Sequence, residues 1–255
     1  MLPYLAQPTL ALGPLKIHAF GVLVAIAVMV GARFARRRAE RVGIEGRHIE
    51  GMLTWVVFGG FLGGHVLDLL FYEPRIVLTD PLKLLRIWDG LGSFGGFIGA
   101  ILGAAIYVRR NRLKNPWQYV DSIAFGFPFG WIFGRLGCAI AFDHPGRPST
   151  FFLAETFRDG IVRHNLGLEE ALLTMGLAAW FWVAARKPRP TGFFVGWLAL
   201  LYAPTRFLLD ALRIGDTRYF GLTPAQYGSL ALAVFGVAVL AHVSRDADVP
   251  KPSPI

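Results

Sequence analysis

The 255-residue sequence predicts an all-α polytopic membrane protein with about seven transmembrane helices. Hydrophobic residues make up 54% of the chain, and its mean hydropathy of +0.48 is too apolar for a soluble domain of this length. A helix that crosses a bilayer needs about 20 mostly apolar residues. The segments that meet or approach this length are 17–31, 52–71, 94–108, 123–142, 168–184, 192–209 and 225–243.

The loops between these segments fall into two sets that differ in positive charge. Of the 26 Lys and Arg residues, fifteen lie in one set, mostly beside span ends. Ten lie on the other side, nine of them spread over its longer loops and Arg206 toward the outer end of a span. Because loops rich in Lys and Arg stay cytoplasmic, we expect the N-terminus outside and the C-terminus inside. The run Arg36-Arg37-Arg38 is then predicted to anchor this topology. The basic residues behind the net charge of +9 are therefore distributed according to the side of the membrane, which argues against a nucleic-acid partner.

The pattern predicts one integral membrane domain over 1–243, followed by a disordered cytoplasmic tail over 244–255. An outward-facing head is expected at about 143–167, with 150–153 as a candidate strand. The single cysteine excludes an intrachain disulfide. The sequence gives no indication of a metal or an organic cofactor, so none is expected.

Arg135 is the only formally charged residue of the apolar segment 123–142. A cation in the middle of a span costs about 2.5–3.5 kcal/mol on insertion scales, so it persists only with a partner, a wet cavity or an anionic ligand. Arg206 lies in another apolar segment. Since a guanidinium grips phosphate with a planar fork, the two arginines predict a site for an anionic lipid headgroup. The alternatives are a structural ion pair of Arg135 with Asp143 and a snorkelling Arg206.

Several short motifs follow one another along nearly the whole chain. They are Gly13-Pro14-Leu15-Lys16-Ile17-His18-Ala19-Phe20-Gly21, Gly63-Gly64-His65, Ser93-Phe94-Gly95-Gly96, Gly134-Arg135-Leu136-Gly137 continuing to Gly146-Arg147, Tyr202 with Arg206-Phe207-Leu208-Leu209-Asp210, and Gln226. In this order and spacing the chain resembles the bacterial prolipoprotein diacylglyceryl transferases.

The resemblance implies a monomeric enzyme of the bacterial plasma membrane, surrounded by membrane lipids. It would move a diacylglyceryl group from phosphatidylglycerol to the lipobox cysteine of a preprolipoprotein signal peptide, with glycerol phosphate leaving. Charge that develops on a leaving phosphate needs preorganised cations in a site of low dielectric constant. Arg135 and Arg206 are the candidates for that role, and Asp143 and Asp210 stand where the family has glutamates that would orient them.

The resemblance also implies a set of residues that bind lipid or substrate. They are Tyr202, Ser93, Gly95, Gly96, Gly134, Gly137, Arg147, Gln226 and Phe20, the last at the position of a family tyrosine.

The chain departs from the family pattern where protons are transferred. Phe94 replaces the histidine of the S-x-H-G-G motif, Cys138 replaces an asparagine, and the stretch from His164 to Glu170 is a reduced form of H-P-x-Q-L-Y-E. His144, next to Asp143, is predicted to act as the substitute base. Two alternatives stay open: a non-catalytic relative that binds lipid or lipoprotein, and a lipid transferase with a changed acceptor.

Overall fold

The computed structural model describes residues 2–4, 7–12, 15–72, 77, 79–85, 93–143, 145–215 and 218–245. The long helices of this part of the chain are α1 Ala19–Arg41, α2 Arg47–Tyr72, α3 Ser93–Arg110, α4 Pro116–Ala141, α5 Leu166–Ala184, α6 Phe193–Leu212 and α7 Pro224–Arg245. Six of these seven are long and apolar enough to cross a membrane, and α3, whose last two residues are arginines, is the exception. The predicted all-α polytopic membrane fold is confirmed.

Helix α1 extends ten residues beyond the apolar segment predicted at 17–31, because the Ala- and Arg-rich stretch that follows favours helix. It ends in a Schellman motif, in which Gly43 adopts a φ of +79°. The N–H of Ile44 donates to the carbonyl of Ala39, and the N–H of Gly43 donates to that of Glu40. Arg38 and Arg41 in the last turn complement the negative end of the helix dipole.

The chain forms two compact units, one made of Met1–Ile44 with Val120–Ile255, and the other of Glu45–Tyr119. In the second unit the backbones of α2 and α3 touch along glycines. A Cβ atom at Gly63 would lie 2.5 Å from the carbonyl oxygen of Gly95 and 2.8 Å from Cα of Gly99. Gly95 therefore serves helix packing, whereas a Cβ at Gly96 would meet only the carbonyl of Gly60, at 3.6 Å.

A small antiparallel sheet lies between α4 and α5, in the part of the chain where the head is predicted, and is called the head below. Its strands are β3 Pro145–Pro148, β4 Glu155–Thr156 and β5 Val162–Asn165, in the order β3-β5-β4. Near the N-terminus, β1 Thr9–Leu12 and β2 Leu15–His18 form a hairpin. Leu2 adds a parallel bridge to Glu155, so the N-terminal segment lies beside the head.

The strand predicted at 150–153 is wrong, because this stretch forms a turn. The N–H of Phe151 donates to Oγ of Ser149 at 3.0 Å, and the N–H of Ala154 donates to the carbonyl of Phe151 at 2.9 Å. Local side-chain bonding of this kind competes with strand pairing, so pairing begins only at Glu155.

Candidate active site

Arg135 lies on α4 with only 8% of its surface exposed. Its guanidinium carbon is 4.5 Å from the centre of the Trp131 ring, one helical turn earlier. On the other side, Nη1 lies 3.8 Å from Sγ of Cys138. Residues three or four apart share one face of a helix, so α4 presents an indole, a guanidinium and a thiol together.

Glu170 of α5, which is 1% exposed, is the centre of the site. Its Oε1 lies 2.8 Å from Nε of Arg135, so the two groups form an ion pair. The Nε–H group is not directed at Oε1 well enough to count as a hydrogen bond. Trp131 Nε1 donates to the same oxygen at 3.0 Å, and the hydroxyl of Tyr202 donates to it as well. The second oxygen, Oε2, lies 3.4 Å from Nη1 of Arg206. A buried carboxylate is stable only with partners of this kind.

Helix α6 contributes Tyr202, Arg206 and Asp210, which are spaced four residues apart and so form one stripe. Asp210 is fully buried, with Oδ1 3.4 Å from Nη2 of Arg206, and its Oδ2 accepts a hydrogen bond from Thr223. Arg206 thus lies between two carboxylates. Its side chain is 21% exposed, against 10% for Arg135, so Arg206 is the more accessible cation to an incoming anion.

Gly167 and Asn165 determine where α5 meets α4. A Cβ at Gly167 would lie 2.6 Å from the backbone nitrogen of Ala139 and 3.1 Å from the carbonyl oxygen of Arg135. Asn165 caps α5 by accepting from the N–H of Leu168 at 3.2 Å, and its Nδ2 donates to the carbonyl of Ala139 at 3.1 Å. This close approach brings Glu170, one turn further along α5, to Arg135.

The chain matches the family model for prolipoprotein diacylglyceryl transferase over residues 7–242. It belongs to this family. Its similarity extends to whole proteins named phosphatidylglycerol–prolipoprotein diacylglyceryl transferase. The protein from Janthinobacterium sp. (strain Marseille) is 34% identical, and the match covers 91% of this chain and 92% of that protein. The protein from Azoarcus sp. (strain BH72) is 31% identical over 95% of this chain and 97% of its own length.

A third relative of the same name, from Nitratidesulfovibrio vulgaris (strain DSM 19637 / Miyazaki F), is 34% identical over 93% of this chain and 92% of its own length. The predicted membership of the diacylglyceryl transferase family is therefore confirmed. These relatives are diacylglyceryl transferases by name. The match to the family model spans all the helices that build the cluster around Glu170.

The structure brings some of the residues selected by family resemblance into this cluster and places others elsewhere. Gly134 lies beside Trp131, since a Cβ atom at Gly134 would lie 3.9 Å from Cε3 of that ring. Gly137 instead faces α1, where a Cβ would lie 3.2 Å from Cδ2 of Phe20, so these two residues are brought together in helix packing. Arg147 is exposed on β3.

Gln226 belongs to a capping box at the start of α7. Its Oε1 accepts from the N–H of Thr223 at 3.0 Å, and its own N–H donates to the Thr223 hydroxyl oxygen at 3.2 Å. Pro224 fills the first helical position, which suits a residue without an N–H. Gln226 is 2% exposed, and its Nε2 donates to the carbonyl of Phe207. Gln226 thus acts as a structural cap, and its part in lipid binding stays a prediction.

The remaining predicted residues lie away from the described contacts of the cluster. His144 and the side chain of Ser93 fall outside the described residues. Asp143 is exposed after α4, and its backbone N–H donates to the carbonyl of Cys138 at 3.3 Å. Within the described part of the chain, the carboxylates that pair with Arg135 and Arg206 are Glu170 and Asp210, and Asp143 is not among them.

Glu170 and Trp131 were missed by reasoning from the sequence. Glu170 stands at the start of an apolar segment, where a carboxylate ordinarily faces the membrane surface, and Trp131 resembles an apolar packing residue. The one available signal was the stretch beginning at His164, in which Glu170 holds the place of the final glutamate of H-P-x-Q-L-Y-E.

Replacing Gly167 with alanine is expected to separate α5 from α4 and to weaken the contact between Glu170 and Arg135. The new methyl group would meet backbone atoms, which cannot rotate away, and overpacking of this kind costs about 1–3 kcal/mol. We expect a lower melting temperature and reduced turnover. Gly176→Ala is the matched control on the same helix, because a Cβ there meets nothing within 4 Å. Equal behaviour of the two variants would contradict this account of the helix contact.

Proposed function

We propose that the protein transfers a diacylglyceryl group from phosphatidylglycerol to the cysteine thiol of a prolipoprotein, with release of glycerol phosphate. The observation that carries the proposal is the pair of arginines held by one buried carboxylate, Glu170, in a member of the diacylglyceryl transferase family. Arg135 and Arg206 are the proposed phosphate-binding residues, Glu170 and Asp210 orient them, and Tyr202 adds a hydroxyl group beside them.

In the proposed reaction, the cysteine sulfur forms a bond to the terminal glycerol carbon of the diacylglyceryl group. The bond from that carbon to the phosphate oxygen breaks, and the oxygen keeps the electron pair. A guanidinium has five N–H donors, and the contacts to Glu170, Cys138 and Asp210 leave donors on both arginines for the phosphate oxygens. These donors are fixed in a largely water-excluded site before the charge develops.

The thiol proton must pass to a base. His144 remains our proposed acceptor on the strength of its neighbour Asp143. The head supports a second candidate, because Nδ1 of His164 lies 2.6 Å from Oε1 of Glu169. A carboxylate at this distance holds the imidazole in one orientation, as a general base requires.

The proposed orientation places the N-terminus and the head on the periplasmic side and the C-terminus in the cytoplasm. Two observations support it. Leu2 pairs with β4 of the head, so both lie on one side. The dense basic segment from Arg33 to Arg41 lies at the opposite end of α1.

The test uses the purified protein in phosphatidylglycerol vesicles with a lipobox peptide, and it measures release of glycerol phosphate. We expect release with a cysteine peptide, none with the serine peptide of otherwise identical sequence, and none from Arg135→Ala. Binding of phosphatidylglycerol without release would instead identify a non-catalytic lipid-binding protein. Release without a thiol would indicate a transferase with another acceptor.

A further inference from the structure

Helix α6, which carries Tyr202 and Arg206, begins without a cap of its own. Its N-cap residue is Gly192, with a φ of +94° and no side chain to accept a hydrogen bond. The first free N–H groups of the helix are satisfied by a residue of α4 instead. Oδ1 of Asp121 accepts from the N–H of Phe194 at 2.8 Å and from that of Val195 at 3.0 Å.

Asp121 is only 5% exposed, and a buried arginine accompanies it. Arg38 of α1 is 6% exposed, its guanidinium lies 4.9 Å from the centre of the Phe194 ring, and its charge acts on Asp121. Arg38 is thus buried, whereas its neighbours Arg36 and Arg37 are exposed, and the anchoring of the topology by this run stays a prediction. The negative charge of Asp121 attracts this guanidinium and so favours its place inside the bundle.

The cap fixes α6 relative to α4 at one end, and the site joins the same two helices at the other. Arg135 follows Asp121 by 14 residues, which is about 21 Å along a helix at 1.5 Å per residue. Arg206 follows Phe194 by 12 residues, or about 18 Å. The two helices run in the same direction from the cap, and their arginines meet at Glu170. A slip of α6 by one residue at the cap would carry Arg206 about 1.5 Å along the axis at the site.

We propose that Asp121 is a positioning residue for the transferase reaction, which sets the axial register of α6 so that Tyr202 and Arg206 reach Glu170. The inference rests on the proposed function. Asp121 lies about 20 Å from the cluster. Its specific task is to supply an oxygen acceptor for the first N–H groups of α6. The negative charge of Asp121 matters only because it attracts the buried guanidinium of Arg38.

Two double variants separate the effect of the oxygen acceptor of residue 121 from the effect of its charge. In Arg38→Met/Asp121→Asn the oxygen acceptor remains and both charges are removed, and in Arg38→Met/Asp121→Leu the acceptor is removed as well. We expect the first variant to keep turnover within about threefold of wild type. The second should lose about 100-fold in kcat, the size of effect produced by misplacement of about 1 Å. Hydrogen exchange at the amides of Phe194 and Val195 should speed up only in the second.

A variant that is merely less stable could also show lower turnover, so a control with reduced stability is needed. Phe125→Leu is the control, since Phe125 is buried in the apolar core one turn after Asp121 and packs against Phe194, yet takes no part in the cap. It should lower the melting temperature and keep kcat, measured at equal folded fraction. A fall in kcat no greater for Arg38→Met/Asp121→Leu than for Phe125→Leu would overturn the inference, and so would equal activity of the two double variants.

Failure of the proposed function gives a different pattern. A wild-type protein that binds phosphatidylglycerol without releasing glycerol phosphate would refute the transferase activity. The role of Asp121 is then read from lipid affinity measured on the same variants. A loss of about tenfold, confined to the variant without the acceptor, supports it, and unchanged affinity contradicts it.

Discussion

Replacing Glu170 with glutamine is expected to lower turnover about 100-fold without raising the KM for phosphatidylglycerol. Glutamine has the same shape and can still accept from Trp131 and Tyr202, but it no longer pairs with the two guanidinium groups. Among the described residues, Asp210 is then the one carboxylate that still pairs with an arginine of the cluster, so the cluster gains a positive charge. An anionic lipid should bind at least as well as before, whereas the arginines are no longer held where charge develops in the reaction.

The same substitution should destabilise the protein, because removing one partner of a buried ion pair costs about 3–5 kcal/mol. The measurements are kcat, KM and the melting temperature in the same detergent. Glu40→Gln serves as the control, since Glu40 pairs with Arg36 in an exposed contact of 2.8 Å, and surface pairs contribute little. If Glu170→Gln had the same kcat as Glu40→Gln, the proposed role of Glu170 in the reaction would be wrong.

The sequence identified both arginines because a guanidinium in an apolar span has few explanations. It did not identify Glu170, because a carboxylate at a span end has an ordinary explanation in the membrane surface. The difference is made by Gly167, whose missing side chain lets α5 approach the backbone of α4 and brings Glu170 inside. Such an approach depends on which helices are neighbours, and no local pattern encodes it.

Arg38 is a second residue whose surroundings could not be predicted from the sequence, here because it is buried and not exposed. In the sequence it is one member of a basic run, and basic runs at span ends ordinarily face the cytoplasm. Its burial depends on Asp121 and Phe194, which lie on two other helices. The strand predicted at 150–153 failed for a local reason, since the apolar run favoured a strand while Ser149 directs the backbone into a turn.

The helices themselves were predictable because their apolar lengths match the thickness of a bilayer. Their ends were less so. α1 continues through its basic residues to the glycine of a Schellman motif, and α7 begins at a capping box that includes Gln226. Gln226, which matches a family pattern, has a structural role in this capping box, and its role in lipid binding stays a prediction.

Substituting lysine for each arginine of the site is expected to show that the two guanidinium groups work as one unit. Lysine keeps the positive charge but presents a single ammonium, which cannot contact Glu170 and a phosphate with the same planar fork. We expect Arg135→Lys and Arg206→Lys each to lose about 100- to 1,000-fold in kcat. The double variant should lose little more than either single variant, because both arginines depend on Glu170 and on the same phosphate.

The wild type, the two single variants and the double variant are compared with phosphatidylglycerol and a lipobox peptide as substrates. The substrate concentrations are varied so that kcat and KM are obtained separately. Arg36→Lys provides the control at an exposed ion pair, where the exchange should leave both constants unchanged. Additive losses in the double variant would mean that the arginines act at independent places. If only Arg206→Lys lost activity, the more deeply buried Arg135 would be a structural partner of Glu170, and the exposed face of Arg206 alone would hold the lipid phosphate.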